Sequence, residues 1–155
     1  MEKGINEYII GAFGIEADDI RTYSPLTLAY IGDGIYDLVI RSIVVAEGNT
    51  APSKLHKRTS QLVKAEAQAK MIEALLPSLT EEEADIYRRG RNAKSSTMAK
   101  NAKMTEYRKA TGFEALMGYL YLTDAFSRII ELVKQGLEAI KDDPELLAHT
   151  HGNHR

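Results

Sequence analysis

Two acidic residues stand in stretches where an acid is costly to keep. Residues 24–48 read SPLTLAYIGDGIYDLVIRSIVVAEG, and Asp33, Asp37 and Arg41 interrupt this apolar run at four-residue spacing, forming one polar stripe on a helix. Asp37 and Arg41 pair along such a surface, which accounts for both. Asp33 is harder to place, because a carboxylate in a largely buried helix must be paired, hydrogen-bonded or bound to a cation. It is flanked by Gly32 and Gly34, each of which costs a helix interior about 1 kcal/mol relative to alanine. Another backbone or a ligand is therefore expected to come close there. The second acid, Glu114, lies in TGFEALMGYLYL one turn before Gly118, so acid and glycine share a face. Two such faces on two apolar helices that cross closely would present two carboxylates to one cation. The residues alone leave plainer readings open. Asp33 can be bonded to a neighbour in ordinary helix packing, and Thr111 with Glu114 has capping-box spacing if a helix starts at Thr111. A start near Thr105 puts Glu114 in the helix interior instead.

The elements that must carry these side chains read as helices throughout, with no strand alternation, so the fold class is all-α. A short helix covers residues 5–13 and stops at Gly14. Ser24-Pro25 opens the next, a polar cap followed by proline at the first helical position. It runs to about Ala46 and ends near Gly48, and its nearly all-round apolarity marks it as the centre of a bundle. One helix is expected from Pro52-Ser53 to about Leu76. Thr80 and Glu83 form a capping box for another that ends at Arg89-Gly90. Residues 91–104 read as a polar, basic loop, followed by the Glu114 helix to Leu122. Asp124 is expected to cap a last helix bearing Phe126, Ile129, Ile130, Val133, Leu137 and Ile140 at helical spacing. A single domain over residues 1–143 with a flexible tail at 144–155 is the expected organisation.

Composition narrows the classes of function. The chain has 155 residues and no cysteine, which excludes disulfides, thiolate metal sites and cysteine nucleophiles. No signal peptide and no membrane span are evident, and a cytoplasmic location is expected. The net charge of −2 conceals an asymmetry: residues 88–103 carry Arg88, Arg89, Arg91, Lys94, Lys100 and Lys103 and no acid, leaving about −8 for the remainder. Such clustering is the electrostatic footprint of a nucleic-acid binder, although a charge run is more commonly a solvated surface.

LAYIGDGIYDLVIR resembles the signature helix of the ribonuclease III catalytic domain, and FEALMGYLYL resembles that family's second motif. The two occur in order, about 80 residues apart, and the resemblance spans roughly residues 24–124. RRGRNAKS and KAEAQAK are similar to stretches of the compact branch, Mini-ribonuclease III, which consists of the catalytic domain without a following double-stranded-RNA-binding domain. The resemblance implies that Asp33 and Glu114 are catalytic metal ligands. Ala29 and Thr111 stand where the full-length enzymes usually carry two further acids, which leaves the number of metals and the full ligand set open.

The resemblance implies a Mg2+-dependent endoribonuclease that cuts double-stranded RNA to 5′-phosphate and 3′-hydroxyl ends. Magnesium suits the task because it binds a few carboxylates while keeping waters and phosphate oxygens in its shell. Arg88, Arg89, Arg91, Asn92, Lys94, Ser95, Lys100 and Lys103 are the expected RNA contacts, the cations gripping phosphates and the Asn and Ser reaching 2′-hydroxyls. The family further implies a two-fold homodimer, with the apolar helix 26–45 as a source of interface. It also implies maturation of the 23S ribosomal RNA precursor as the role and a ribosomal protein as helper. The alternative is a catalytically silent RNA-binding or ribosome-assembly domain, to which Ala29 and Thr111 lend weight. His149, His151 and His154 are set aside as a metal site, lying among polar residues beyond Pro144, and His56 is read as part of a solvated helix face.

Overall fold

The computed structural model describes residues 4–93 and 102–146, and among them there are helices and no strand, in agreement with the all-α expectation. The α-helices are α1 (Ile5–Ala12), α2 (Pro25–Glu47), α3 (Pro52–Val63), α4 (Ala65–Leu75), α5 (Glu81–Asn92), α6 (Ala102–Leu122) and α7 (Phe126–Ile140). None of them is long and apolar enough to cross a membrane. The starts of α2 and α5 are well marked in the sequence. Ser24 accepts the Thr27 N–H at 3.2 Å, with Pro25 in the first turn of α2. Thr80 and Glu83 make the reciprocal capping box of α5. The buried Glu83 carboxylate also accepts two bonds from the Arg128 guanidinium, at 2.9 and 2.8 Å, which ties α7 to the start of α5.

The centre of the bundle is α6, not α2. Helix α6 packs against α2, α4, α5 and α7 and buries Ala110, Phe113, Ala115, Leu116, Met117, Leu120 and Tyr121 around its circumference. Phe113 meets Tyr36 edge-to-face at 5.3 Å, and the Tyr36 hydroxyl donates to the Leu62 carbonyl at 2.7 Å. Helix α2 buries only the stripe Leu28, Ala29, Gly32, Ile35, Tyr36, Val39, Ile40 and Val44. Its opposite side leaves Leu26, Tyr30, Leu38 and Val45 exposed, Tyr30 to 83%. Apolarity all round a helix is thus divided here between a packed core and a free surface. Helix α1 likewise leaves Ile5, Tyr8 and Ile9 exposed, although a lone eight-residue helix is marginal in water without a surface to lie on.

Four further departures from expectation have physical causes. The predicted helix from Pro52 to Leu76 breaks at Lys64, whose extended backbone (φ −64°, ψ 154°) separates α3 from α4. Helix α5 does not stop at Gly90 but continues to Asn92, because Gly90 serves close packing rather than capping: a Cβ there would lie 2.9 Å from the Gly112 Cα. Asp124 does not cap α7; it takes φ +59°, a left-handed turn conformation that Asp tolerates, and Ala125 occupies the cap position. At the C-terminal side, Leu146 is buried in the core and Lys70 pairs with Asp143 and Glu145 at 2.9 and 2.7 Å. Residues 144–146 are therefore part of the packed body, while the rest of the expected tail, with His149, His151 and His154, lies outside the described residues.

Candidate active site

Helices α2 and α6 cross backbone to backbone. A Cβ on Gly32 would lie 1.7 Å from the Glu114 carbonyl oxygen, and a Cβ on Gly118 would lie 1.9 Å from that of Leu28. Each helix thus uses a glycine near its acid to admit the main chain of the other. Asp33 follows Gly32 directly on α2, and Glu114 precedes Gly118 by one turn on α6. The two acids line the same cleft. Gly34 has a different part: nothing lies within 4 Å of its would-be Cβ. It faces an open cleft of about 500 Å³, lined also by Leu26, Ala29, Tyr30, Ile31, Asp33, Tyr107, Thr111 and Glu114.

The two acids differ in environment. Asp33 is exposed at the cleft mouth, so the sequence-based expectation of a buried Asp33 is corrected: it lies beside the α2–α6 seam, not inside it. Glu114 is the more enclosed. Burial pushes its carboxyl up to about 8, with Asp33 as a further cause through a hydrogen bond and like charge, and a hydrogen bond from Gln68 acting in the opposite direction. The α6 start at Ala102 removes the Thr111–Glu114 capping box, since both residues are in the helix interior. Asp37 pairs with Arg41 at 2.6 Å, as its spacing requires.

A group whose folded value is raised in this way makes stability fall as pH rises. Below the ordinary value of 4.5 the Glu114 carboxyl is protonated in both states. Between 4.5 and about 8 the unfolded chain is ionised while the folded one holds its proton, so each step up in pH favours unfolding. In EDTA, the urea midpoint should therefore fall between pH 5 and pH 8 in wild type and fall less in Glu114→Gln. Equal pH slopes for the two proteins would count against this account.

The pair is a two-carboxylate site. Among the described residues no group of three or more His, Cys, Asp or Glu side chains is placed to hold a metal. Ala29 and Thr111 both line the cleft wall, and the Thr111 hydroxyl is committed to the Tyr107 carbonyl at 3.0 Å. Two facing carboxylates, one of them enclosed and destabilised by the other, form a hard oxygen donor set that a hydrated divalent cation fits.

Several of the basic residues are on α5, which packs against α6. The Gly90–Gly112 contact, with Ala115 also against Gly90, sets the last turn of α5 beside the α6 turn that leads to Glu114. Arg88, Arg89 and Asn92 are exposed there, and Arg91 lies over the Tyr87 ring at 5.6 Å. Arg88 makes an exposed pair with Asp85 at 3.3 Å. Lys103 is exposed on the first turn of α6. Arg91, Asn92 and Lys103 are thus helical, not in the loop expected for residues 91–104, while Lys94, Ser95 and Lys100 lie outside the described residues. His56 is exposed on α3. Sequence reasoning misses Gln68, whose side chain reaches Glu114 from α4.

Comparison with known proteins bears on what such a cleft does. Residues 26–125 match the model of the ribonuclease III domain, a span that contains Asp33, the α2–α6 crossing and Glu114. This chain belongs to the ribonuclease III family. Among its relatives in that family, Mini-ribonuclease 3 of Enterococcus faecalis is 47% identical over 82% of this chain and 98% of its own length. Mini-ribonuclease 3 of Thermoanaerobacter sp. is 42% identical over 92% of this chain and all of its own. A crystal structure of a Fusobacterium nucleatum protein superposes with a TM-score of 0.68 at 31% identity, over 79% of this chain and 98% of that one. Within the ribonuclease III family the chain groups with the compact Mini-ribonuclease 3 proteins, and it is an endoribonuclease.

Proposed function

We propose that the protein cleaves double-stranded RNA in a Mg2+-dependent reaction at the Asp33–Glu114 cleft. The observation that carries this reading is the placing of both acids in one cleft beside the glycine-lined α2–α6 crossing. Asp33 and Glu114 would hold the cation. When bound, Mg2+ supplies activation of a water and neutralisation of charge at phosphorus during an in-line displacement. Glu114, enclosed and held by Gln68, gives one fixed oxygen donor, while Asp33 at the mouth meets both the cleft and solvent. The basic end of α5 draws in the phosphate backbone, Arg88 and Arg89 acting through charge and Asn92 through hydrogen bonding.

Cutting both strands of a duplex calls for two such sites, which a two-fold homodimer provides. The exposed Leu26, Tyr30, Leu38 and Val45 on α2 support a buried face of this kind. The 23S ribosomal RNA precursor is the substrate we assign, with a ribosomal protein as helper and the cytoplasm as the place of action. Ala29 and Thr111 in the cleft wall favour a second reading, a silent RNA-binding domain used in ribosome assembly.

One experiment separates the two. Incubating the protein with a long RNA duplex, with Mg2+ and with EDTA, should give metal-dependent fragments bearing 5′-phosphates. Binding without cleavage in Mg2+ would reject the nuclease reading for that substrate and favour the assembly domain. The basic end of α5 has its own test. Arg88→Gln combined with Arg89→Gln should weaken duplex binding for all sequences alike and flatten the plot of log K against log salt by about two units, roughly one per phosphate contact. An unchanged slope in filter binding would remove both arginines from the RNA surface.

A further inference from the structure

Gln68 is a polar residue in a place that packing alone would give to an apolar one. It is 2% exposed, on α4, among Ala67, Ala69, Met71 and Ile72. Its amide nitrogen donates to the Val63 carbonyl at 2.7 Å and to Glu114 Oε2 at 3.3 Å. Val63 ends α3 at the Lys64 break, so its carbonyl has lost the helical partner it would otherwise meet. The orientation of the amide is fixed by chemistry. The Val63 carbonyl can only accept, so the reversed amide would set oxygen against oxygen at 2.7 Å. In this orientation the nitrogen serves both acceptors, and among the described residues the buried Oε1 has no hydrogen-bond partner. A core amide, which burial penalises unless it is hydrogen-bonded, does not pack better than Met or Leu in the same space. Its return lies in what the nitrogen holds.

We infer that Gln68 is a positioning residue for the active site: bridging the α3–α4 break to Glu114, it fixes the direction in which the Glu114 carboxylate faces Asp33. The inference rests on the reading of Glu114 as a metal-holding carboxylate. A neutral donor is suited to this place, because it steadies a carboxylate without adding a charge that would compete with the cation. It also comes from a third helix. The main-chain crossing of α2 and α6 sets where the Glu114 Cα lies, but side-chain rotation about that point needs a separate restraint, which Gln68 supplies. Orienting partners one bond behind a metal ligand generally change metal affinity by about 10- to 100-fold when removed.

The test compares wild type, Gln68→Met, Gln68→Leu and Glu114→Gln. Mn2+ binding is measured by titration calorimetry on the RNA-free protein, beside thermal melting in EDTA and cleavage at increasing Mg2+. Gln68→Met should bind Mn2+ about tenfold more weakly. It should need correspondingly more Mg2+ for half-maximal cleavage, approach the wild-type rate at high Mg2+, and bind duplex RNA in EDTA as wild type does. A lowered melting temperature with unchanged Mn2+ affinity and Mg2+ requirement would overturn the inference, leaving Gln68 as a cap for α3 only. If wild type and Glu114→Gln bind Mn2+ alike, the reading of Glu114 itself fails and this inference with it. Should both Gln68 variants unfold, the wild-type protein decides by NMR: the Gln68 side-chain amide resonances should move on Mg2+ addition, and their staying in place at saturating Mg2+ would overturn the role.

Discussion

Asp33→Asn and Glu114→Gln should each slow cleavage of an RNA duplex by about 10³-fold or more under single-turnover conditions, equivalent to about 4 kcal/mol of barrier. Both substitutions keep the size of the side chain and remove the negative charge that would hold a cation, so helical content and duplex binding in EDTA should stay near wild type. The two differ in stability. Glu114 is the enclosed acid whose carboxyl is pushed up to about 8, so at pH 8 without metal its replacement by the neutral amide should raise the melting temperature. The exposed Asp33 should show less of this gain. Loss of activity accompanied by gain of stability is the mark of a residue kept for chemistry. Near wild-type cleavage by either variant would show that the pair is not the reaction centre.

The second large effect is on folding. Gly32→Ala or Gly118→Ala should cost about 3 kcal/mol or more, lowering the melting temperature by roughly 6–12 °C in a chain of this length. In each case the added Cβ would meet a backbone carbonyl oxygen, at 1.7 and 1.9 Å. A flexible side chain can turn away from such a clash, but main chain cannot, so α2 and α6 would have to separate and the carboxyls with them. Gly34→Ala is the control. It sits two residues along the same helix with open space around it and should be neutral or stabilising by up to about 1 kcal/mol through helix propensity. A Gly32→Ala protein that melts with wild type would refute the close crossing.

The pairing of acid with glycine is legible in the sequence because both signals are local: two glycines around an acid, and an acid one turn from a glycine. Their separate roles are not. Gly32 admits a backbone and Gly34 opens on a cleft, a distinction set by which way each points around α2. Caps at Ser24 and Thr80 are legible for the same local reason. Gly90 reads as a helix end, the commonest use of glycine after a basic turn, but contact with α6 keeps it helical. The Lys64 break is hidden since no proline or glycine marks it. Gln68 is hidden with it, because its partners, Val63 and Glu114, are 5 and 46 residues away in sequence. Asp33 reads as buried because α2 is apolar almost all round, and composition cannot say which apolar side faces the core and which is left for another surface.

The reciprocal glycine contact matters for engineering. The spacing of the two acids is set by main chain pressed on main chain, with no side chain between that could be resized or repacked. Substitutions elsewhere in the interior, made to raise heat tolerance or solubility, should therefore leave the reactive geometry unchanged as long as Gly32, Gly118 and Gln68 stay. The molecule is divided into a small part that tolerates no redesign and a large part that accepts it.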